Sequence, residues 1–158
     1  MILFHGSNVM VKEPRILDSD RYLDFGFGFY MTTNKDQAIN FAQKVAQRKG
    51  EKPIVNIFSF DETKTTGLRI KEFDGPNEEW LDFVSANRNG KYEGEQFDIV
   101  IGPVADDDVY QTLQVYASGL LTKDQALQAL KIKKLYNQYL FATPESLKTL
   151  KFESAEEQ

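Results

Sequence analysis

The sequence predicts a single α+β domain, and three observations lead to this fold class. Its 158 residues suit one compact domain, and 41% hydrophobic with 27% charged residues is an ordinary globular composition. Strand-like apolar runs interleave with segments of helical periodicity, without the regular alternation of a doubly wound sheet. Neither an internal repeat nor an interdomain linker is visible. We therefore assign residues 1–152 to one domain and expect the acidic residues 153–158 to form a frayed tail.

The first third of the chain predicts two strands and one helix. Met1 to Phe4 is a short apolar strand, and a second strand lies within Gly26 to Thr32. Asn34 is a good N-cap, and Gln37 can complete a capping box with it. Apolar residues then repeat at helical spacing until Gly50, which is typical of a helix end.

The remaining elements follow from the same signals. Strands are predicted at Pro53 to Phe60, Leu68 to Phe73, Phe97 to Val104 and Gln138 to Ala142. Helices are predicted from Pro76 to before Asn89, from Asp106 to Tyr116, from the Thr122 cap to Leu130, and over a short segment beginning at Thr143-Pro144.

Composition excludes several kinds of chemistry. The chain has no cysteine and only one histidine, His5, so disulfides, thiolate metal sites and histidine-rich metal centres are excluded. The formal charge of −5 disfavours nonspecific attraction to nucleic acid or to an anionic membrane. Met1 to Phe4 is too short for a signal peptide, and no apolar run approaches the roughly 20 residues that cross a bilayer. We therefore expect a soluble cytoplasmic protein without membrane partners.

Four residues indicate a ligand site. His5 ends a strand beside Gly6, so it could hydrogen-bond a ribose hydroxyl while the bare Gly6 backbone pairs with a ligand amide. Tyr30 and Phe41 could face each other across a slot, where aromatic faces attract a flat cation such as the nicotinamide ring of NAD. The residues alone also allow a purely structural histidine and two ordinary core rings.

The acidic triplet Asp106-Asp107-Asp108 raises the alternative of a metal site. Three consecutive carboxylates in a first helical turn are adequately explained by the helix macrodipole, and adjacent side chains point in different directions. We therefore predict no metal. Asp98, on a buried strand, is the other acid that could take part in chemistry.

Three separated segments resemble motifs of the poly(ADP-ribose) polymerase-like ADP-ribosyltransferases. Leu3 to Ser7 resembles their L-W-H-G-S motif, and Gly26 to Tyr30 resembles their G-x-G-I-Y motif. The spacing from there to Phe41 matches their second pocket aromatic, with Asn40 also matching. Leu135 to Leu140 is similar to their L-Y-N-E-Y-I segment. The middle of the chain, about 50–134, looks closer to a small bacterial branch catalogued as a domain of unknown function.

The resemblance implies a fold and a set of roles. The fold would be split antiparallel sheets with flanking helices, and NAD would be the substrate, with no metal required. His5 would hold the adenosine-side ribose, Gly6 the nicotinamide carboxamide, and Ser7 would contact the cofactor. Tyr30 and Phe41 would sandwich the nicotinamide ring.

The chain departs from the family pattern at Gln138, which stands where the catalytic glutamate is expected. An amide can hydrogen-bond a ribose hydroxyl, but it carries no charge and cannot act as a base. The catalytic set would be His5, Tyr30 and Gln138, and chain elongation is disfavoured. We expect mono-ADP-ribosyl transfer to a macromolecule, a protein before a nucleic acid, as by a bacterial toxin or effector. The alternative is an inactive module of the same fold that binds NAD, ADP-ribose or a protein partner.

Overall fold

A computed structural model describes residues 1–16, 23–104, 107–131 and 136–158. Seven strands form one sheet: β1 (Ile2–Ser7), β2 (Phe29–Thr32), β3 (Ile54–Phe60), β4 (Ile70–Glu72), β5 (Ile99–Pro103), β6 (Asn137–Phe141) and β7 (Leu150–Glu157). The α-helices of the described residues are α1 (Lys35–Lys49), α2 (Glu78–Arg88), α3 (Asp107–Ala117), α4 (Lys123–Lys131) and α5 (Pro144–Leu147). The predicted α+β class is confirmed.

The strand order brings three distant parts of the chain together. The order across the sheet is β4-β5-β6-β2-β1-β3-β7, and only β4 and β5 run parallel. β1, β2 and β6 are therefore consecutive at the centre, although β6 lies more than 100 residues after β2 along the chain. His5, Tyr30 and Gln138 come from these three strands.

The centre of the sheet contains a narrow junction. β1 pairs with β3 at six positions and β2 with β6 at four, whereas the register between β1 and β2 consists of Phe4 opposite Thr32. The separate sheets that the resemblance implies are thus joined into one sheet, but through a single residue pair. We call the line along which β1 and β2 separate beyond this pair the seam.

Helices cover one face of the sheet on both sides of the seam. α1 packs on β1 and β3 through Ala38, Ala42 and Val55. The other helical layer packs on β5 and β6 through a cluster that includes Trp80 and Leu140. The opposite face carries a second large cluster, built from Leu3, Phe29, Phe58, Phe141 and their neighbours.

The helix starts follow the predicted caps with one difference. Thr122 and Gln125 form the expected reciprocal pair at the start of α4. At α1, Asn34 Oδ1 accepts a hydrogen bond from the Gln37 backbone, but the Gln37 side chain accepts from Thr32 Oγ1 at 2.7 Å instead of returning to Asn34. Half of the predicted capping box is therefore diverted to β2, next to the seam.

Three boundaries need correction. The first strand is predicted to end at Phe4, but β1 continues to Ser7, so His5 lies within the strand and not at its end. The predicted frayed tail is wrong, because 153–157 belongs to β7, which pairs with β3 as far as Ile54 opposite Glu157, and Gln158 N donates to Pro53 O at 2.9 Å. Ion pairs such as Lys35 with Glu156, at 2.6 Å, support this edge. Pro76 precedes the N-cap Asn77 and does not lie in the first turn of α2. The predicted helix start at Asp106 lies outside the described residues.

No helix in the described parts of the chain combines the length and apolarity that a bilayer crossing requires.

Candidate functional site at the seam

The backbone of β1 presents polar groups to the seam. Phe60 donates its N–H to Met1 O at 2.8 Å, which fixes the residues of β1 that bond β3. Because backbone groups alternate sides along an antiparallel strand, His5 directs its N–H and C=O to β3, and Gly6 directs them to the seam. Extending the register of β1 and β2 would set Gly6 opposite Tyr30, and the described ladder contains no such pair.

Gly6 also lets helix α1 approach the seam. A Cβ atom at this position would lie 2.3 Å from Ala38 O and 2.9 Å from Ala42 N. Both neighbours are backbone atoms of α1, so the helix would have to move to admit any side chain. Packing of α1 on β1 therefore requires a glycine at this position.

The His5 ring bridges the seam to the backbone of β2. Its Nδ1 lies 2.7 Å from Tyr30 O, and because a carbonyl oxygen only accepts, Nδ1 must carry the proton. Burial lowers the pKa of His5 below its ordinary value, which favours the neutral ring. The ring stacks on Phe29 with centroids 4.1 Å apart. In this state Nε2 is an acceptor, so a ribose hydroxyl would donate to it, and not the reverse.

Tyr30 is tied to the loop that precedes β2. Its hydroxyl donates to Gly26 O and accepts from Phe25 N at 3.0 Å, and its ring lies against Phe25. Burial raises the pKa of the Tyr30 hydroxyl, so it stays protonated at neutral pH. The hydroxyl therefore holds the loop, and the ring packs, partly buried, against the hydrophobic cluster that includes Phe25.

Gln138 faces a buried carboxylate. It lies on β6 opposite Thr32, on the same face as Tyr30, and is 9% exposed. Its Nε2 donates to Asp24 Oδ2 at 3.0 Å. The other oxygen of Asp24 accepts from Arg88 Nε in an ion pair, and Asp24 is 6% exposed.

Asp24 and Arg88 adjoin the candidate site through Gln138 and are not among the residues that the sequence predicts there. Arg88 is the last residue of α2 and lies 64 residues after Asp24 in the sequence. Gln138 lies 114 residues after Asp24. Their only local signal is the position of Asp24 just before the Gly26-x-Gly28 pair. Nothing in the spacing connects the three side chains.

Two side-chain atoms at the seam have no hydrogen-bond partner among the described residues, His5 Nε2 and Gln138 Oε1. No buried side-chain nitrogen or oxygen in the described part of the chain lacks a partner, so solvent must reach both atoms. Each can accept a hydrogen bond from a ligand hydroxyl.

The sheet places these two acceptors on opposite faces. Phe4 and Thr32 share a face, so Gln138 and Tyr30 lie on the face of Phe4, whereas His5 stacks on Phe29 on the other. A ligand that contacts both acceptors would therefore have to reach both faces of the sheet beside the seam, where the Gly6 backbone is directed.

Phe41 lies on α1, the helix that packs on β1 and β3. It follows Gln37 by one turn of α1, and Gln37 bonds Thr32, so both residues are on the side of the helix that borders β2. The Phe41 ring is 51% exposed, which excludes the ordinary core interpretation for this residue. Ser7 ends β1, and its hydroxyl accepts from Val9 N at 3.4 Å in the following loop.

The acids that raised the metal alternative lie elsewhere. Asp98 accepts from Arg69 N at 2.7 Å and from Thr143 Oγ1 at 2.7 Å, which is a structural role at the end of β5. The described residues contain no cluster of three metal-ligating side chains. Asp106 lies outside them, as do the side chains of Asp107 and Asp108.

A cleft of about 220 Å³ lies beside the loop that precedes β2. Its lining includes Phe25, Gly26, Phe83, Tyr92 and Leu140. None of the side chains predicted to contact a ligand lines it, so this cleft is separate from the predicted site at the seam.

Comparison with known proteins gives one match. No curated protein and no solved structure matches the chain. The sequence profile of the family described as "Protein of unknown function (DUF3990)" matches residues 1–152. The chain belongs to this family, and the match spans every predicted site residue.

Proposed function

We propose that the protein is an NAD-dependent mono-ADP-ribosyltransferase that acts on a protein target. The observation that carries this proposal is the pair of free acceptors at the seam, His5 Nε2 and Gln138 Oε1. Two acceptors on opposite faces of the sheet beside one junction would suit a dinucleotide, because its two riboses both carry hydroxyl donors. His5 would take the adenosine-side ribose and Gln138 the nicotinamide-side ribose.

The groups between the two acceptors suit the nicotinamide end. A carboxamide has one donor and one acceptor side, which is the complement of the seam-facing N–H and C=O of Gly6. Phe41 is exposed and follows by one helical turn Gln37, which bonds Thr32 of β2, and an aromatic face attracts a flat cation. The single-pair junction between β1 and β2 also suits the split-sheet fold that the motifs imply.

The reaction class requires orientation more than strong bases. The nicotinamide–ribose bond breaks with its electron pair leaving on neutral nicotinamide, the acceptor nucleophile bonds the ribose carbon, and the nucleophile's proton is released. His5, Gly6 and Phe41 would orient NAD, and Gln138 would hold a ribose hydroxyl. Because the Gln138 amide is neutral and cannot act as a base, the acceptor must bring its own base or a strong nucleophile, which favours transfer of a single unit.

A protein acceptor suits the charge of the chain better than a nucleic acid. The formal charge is −5, and a nucleic-acid surface would be repelled unless a local basic face compensated. A role as a bacterial toxin or effector would fit an enzyme that modifies a protein, and we include it in the proposal.

The proposal is tested by incubating the purified protein with NAD labelled in the adenylate and a cell lysate. We expect a labelled protein band and release of nicotinamide, and both should be lost in His5→Ala. Gln43→Glu, an exposed change on α1, is the matched control and should keep the signal. Binding of NAD without turnover in any lysate would contradict the enzyme proposal.

A second candidate function is a noncatalytic module that binds NAD or ADP-ribose. The neutral Gln138 amide favours it, because the site then lacks a charge next to the ribose that becomes cationic. Calorimetric titration with NAD and with ADP-ribose distinguishes the two functions when nicotinamide release is followed in the same samples. Tight binding of both ligands without release would support the binding module.

A further inference from the structure

The orientation of the Gln138 amide is set by its neighbour. A carboxylate only accepts hydrogen bonds, so the amide atom 3.0 Å from Asp24 Oδ2 must be the nitrogen. The amide oxygen, Gln138 Oε1, then points away from Asp24, and solvent reaches this oxygen. Asp24 therefore determines that position 138 offers an acceptor to the seam.

Asp24 is itself fixed and buried. Arg88 Nε bonds its other oxygen, and the Asp24 side chain is 8% exposed. The Arg88 guanidinium also lies over the Tyr110 ring, 4.3 Å from its centroid, which anchors it from α3. Asp24 thus keeps a defined carboxylate immediately behind Gln138.

We propose that Asp24 is a positioning residue that acts through Gln138, and that glutamine is required at 138 because Asp24 already supplies the carboxylate. This inference rests on the proposed function and deepens it. Glutamine at 138 would then be selected as a hydrogen-bond donor to Asp24, and its presence would not mean that a catalytic glutamate has been lost.

Two substitutions should have different effects on the atom that residue 138 directs to the seam. In Asp24→Asn the amide of residue 24 must donate to Gln138, because Arg88 occupies the accepting side. Gln138 then turns, and its NH₂ group replaces its oxygen at the seam. In Gln138→Glu two carboxylates meet, so the pKa of the new carboxyl rises. Its protonated form donates to Asp24 and leaves a carbonyl oxygen at the seam, as in the wild type.

The experiment measures NAD affinity by calorimetry from pH 5 to pH 8 for the wild type, Asp24→Asn, Gln138→Glu and the double variant. We expect Asp24→Asn to bind at least tenfold more weakly at every pH. The affinity of Gln138→Glu, divided by that of the wild type at the same pH, should fall at least tenfold as the pH rises. The double variant again pairs one amide donor, now residue 24, with one carboxylate, now residue 138. Its NAD affinity should therefore return to within about threefold of the wild type.

Controls separate orientation from folding. Asp74→Asn and Gln43→Glu make the same chemical changes at exposed positions and should leave the affinity unchanged. Chemical denaturation of each variant verifies that it is folded at the titration pH. A Gln138→Glu affinity that equals the wild type at all pH values would overturn the proposal, as would a double variant no better than the worse single variant.

The proposed function can fail separately from this inference. If the wild type does not bind NAD, the proposed function is contradicted, and the stability measurements then decide the inference. The double variant should unfold at a higher denaturant concentration than Gln138→Glu, because it removes the contact between two carboxylates. Equal or lower resistance of the double variant would overturn the inference.

Discussion

His5 Nδ1 donates to the backbone oxygen of Tyr30 across 2.7 Å, at the place where continued pairing would set Gly6 opposite Tyr30. The His5 side chain thus bonds the Tyr30 carbonyl oxygen, which the backbone N–H of Gly6 would bond if the pairing of β1 and β2 continued. This contact fixes the proton on Nδ1 and leaves Nε2 as the acceptor. It also leaves the N–H of Gly6 without that carbonyl, so one histidine shapes both ligand contacts on β1.

The His5 ring should give the protein a measurable pH dependence of stability. Its pKa is lowered from the ordinary 6.5, so below pH 6.5 the unfolded chain binds a proton that the folded chain resists. Stability is therefore complete above pH 6.5 and falls as the pH drops below it, by up to about 1.4 kcal/mol per pH unit. Urea unfolding between pH 5.5 and pH 7.5 measures this slope.

The matched variant for this measurement is His5→Gln, which retains a donor but does not titrate. Since His5 is the only histidine, the slope above pH 5.5 should flatten in this variant. An unchanged slope would show that another group is responsible.

Gly6→Ala should destabilise the fold. The added methyl would meet Ala38 O at 2.3 Å, so α1 must shift on the sheet, at a cost of about 1–3 kcal/mol. Thermal and urea unfolding measure the loss. Gly75→Ala is the control, because its Cβ would meet nothing within 4 Å, and it should change stability little. Equal stability of the two variants would contradict the close packing of α1 on β1.

Tyr30→Phe should separate the two parts of this side chain. Loss of the hydroxyl removes partners from Phe25 N and Gly26 O, which should lower stability by about 1–2 kcal/mol. The ring remains, so NAD affinity should stay within about threefold of the wild type. Urea unfolding measures the loss of stability, and calorimetry on the same samples measures the NAD affinity. A large loss of affinity at unchanged stability would instead assign the hydroxyl to the ligand.

Phe41→Ala should have the reverse effect. The ring is half exposed, so its removal should change stability by no more than about 0.5 kcal/mol. Loss of one aromatic stacking face should weaken NAD binding about tenfold or more, since such contacts contribute roughly 1–3 kcal/mol. Phe41→Tyr keeps the face and serves as the control. Unchanged affinity in Phe41→Ala would remove this residue from the proposed site.

Local signals predicted the elements better than their ends. The α1 cap at Asn34 and the pair of Thr122 and Gln125 were correct because capping depends on residues within one turn. The tail was wrong because its order comes from β3, nearly 100 residues away along the chain. The diversion of Gln37 to Thr32 likewise depends on where β2 and α1 meet.

Motifs mark only part of the candidate site. They predict His5, Gly6, Tyr30 and Gln138, and the sheet order brings the strands of these residues together. Asp24 and Arg88 could not be found this way, because an ion pair between a loop and a helix end has no periodicity or fixed spacing. Their contact arises from the packing of α2 beside the loop.

The junction at Phe4 and Thr32 has a mechanical consequence for the whole molecule. With one residue pair joining β1 to β2, the two halves of the sheet are coupled weakly to each other and strongly within themselves. A ligand amide bonded to Gly6 would add hydrogen bonds where the strands have separated. Binding would then stiffen the centre of the sheet, with slower amide exchange along β1 and β2 while β7 exchanges at an unchanged rate.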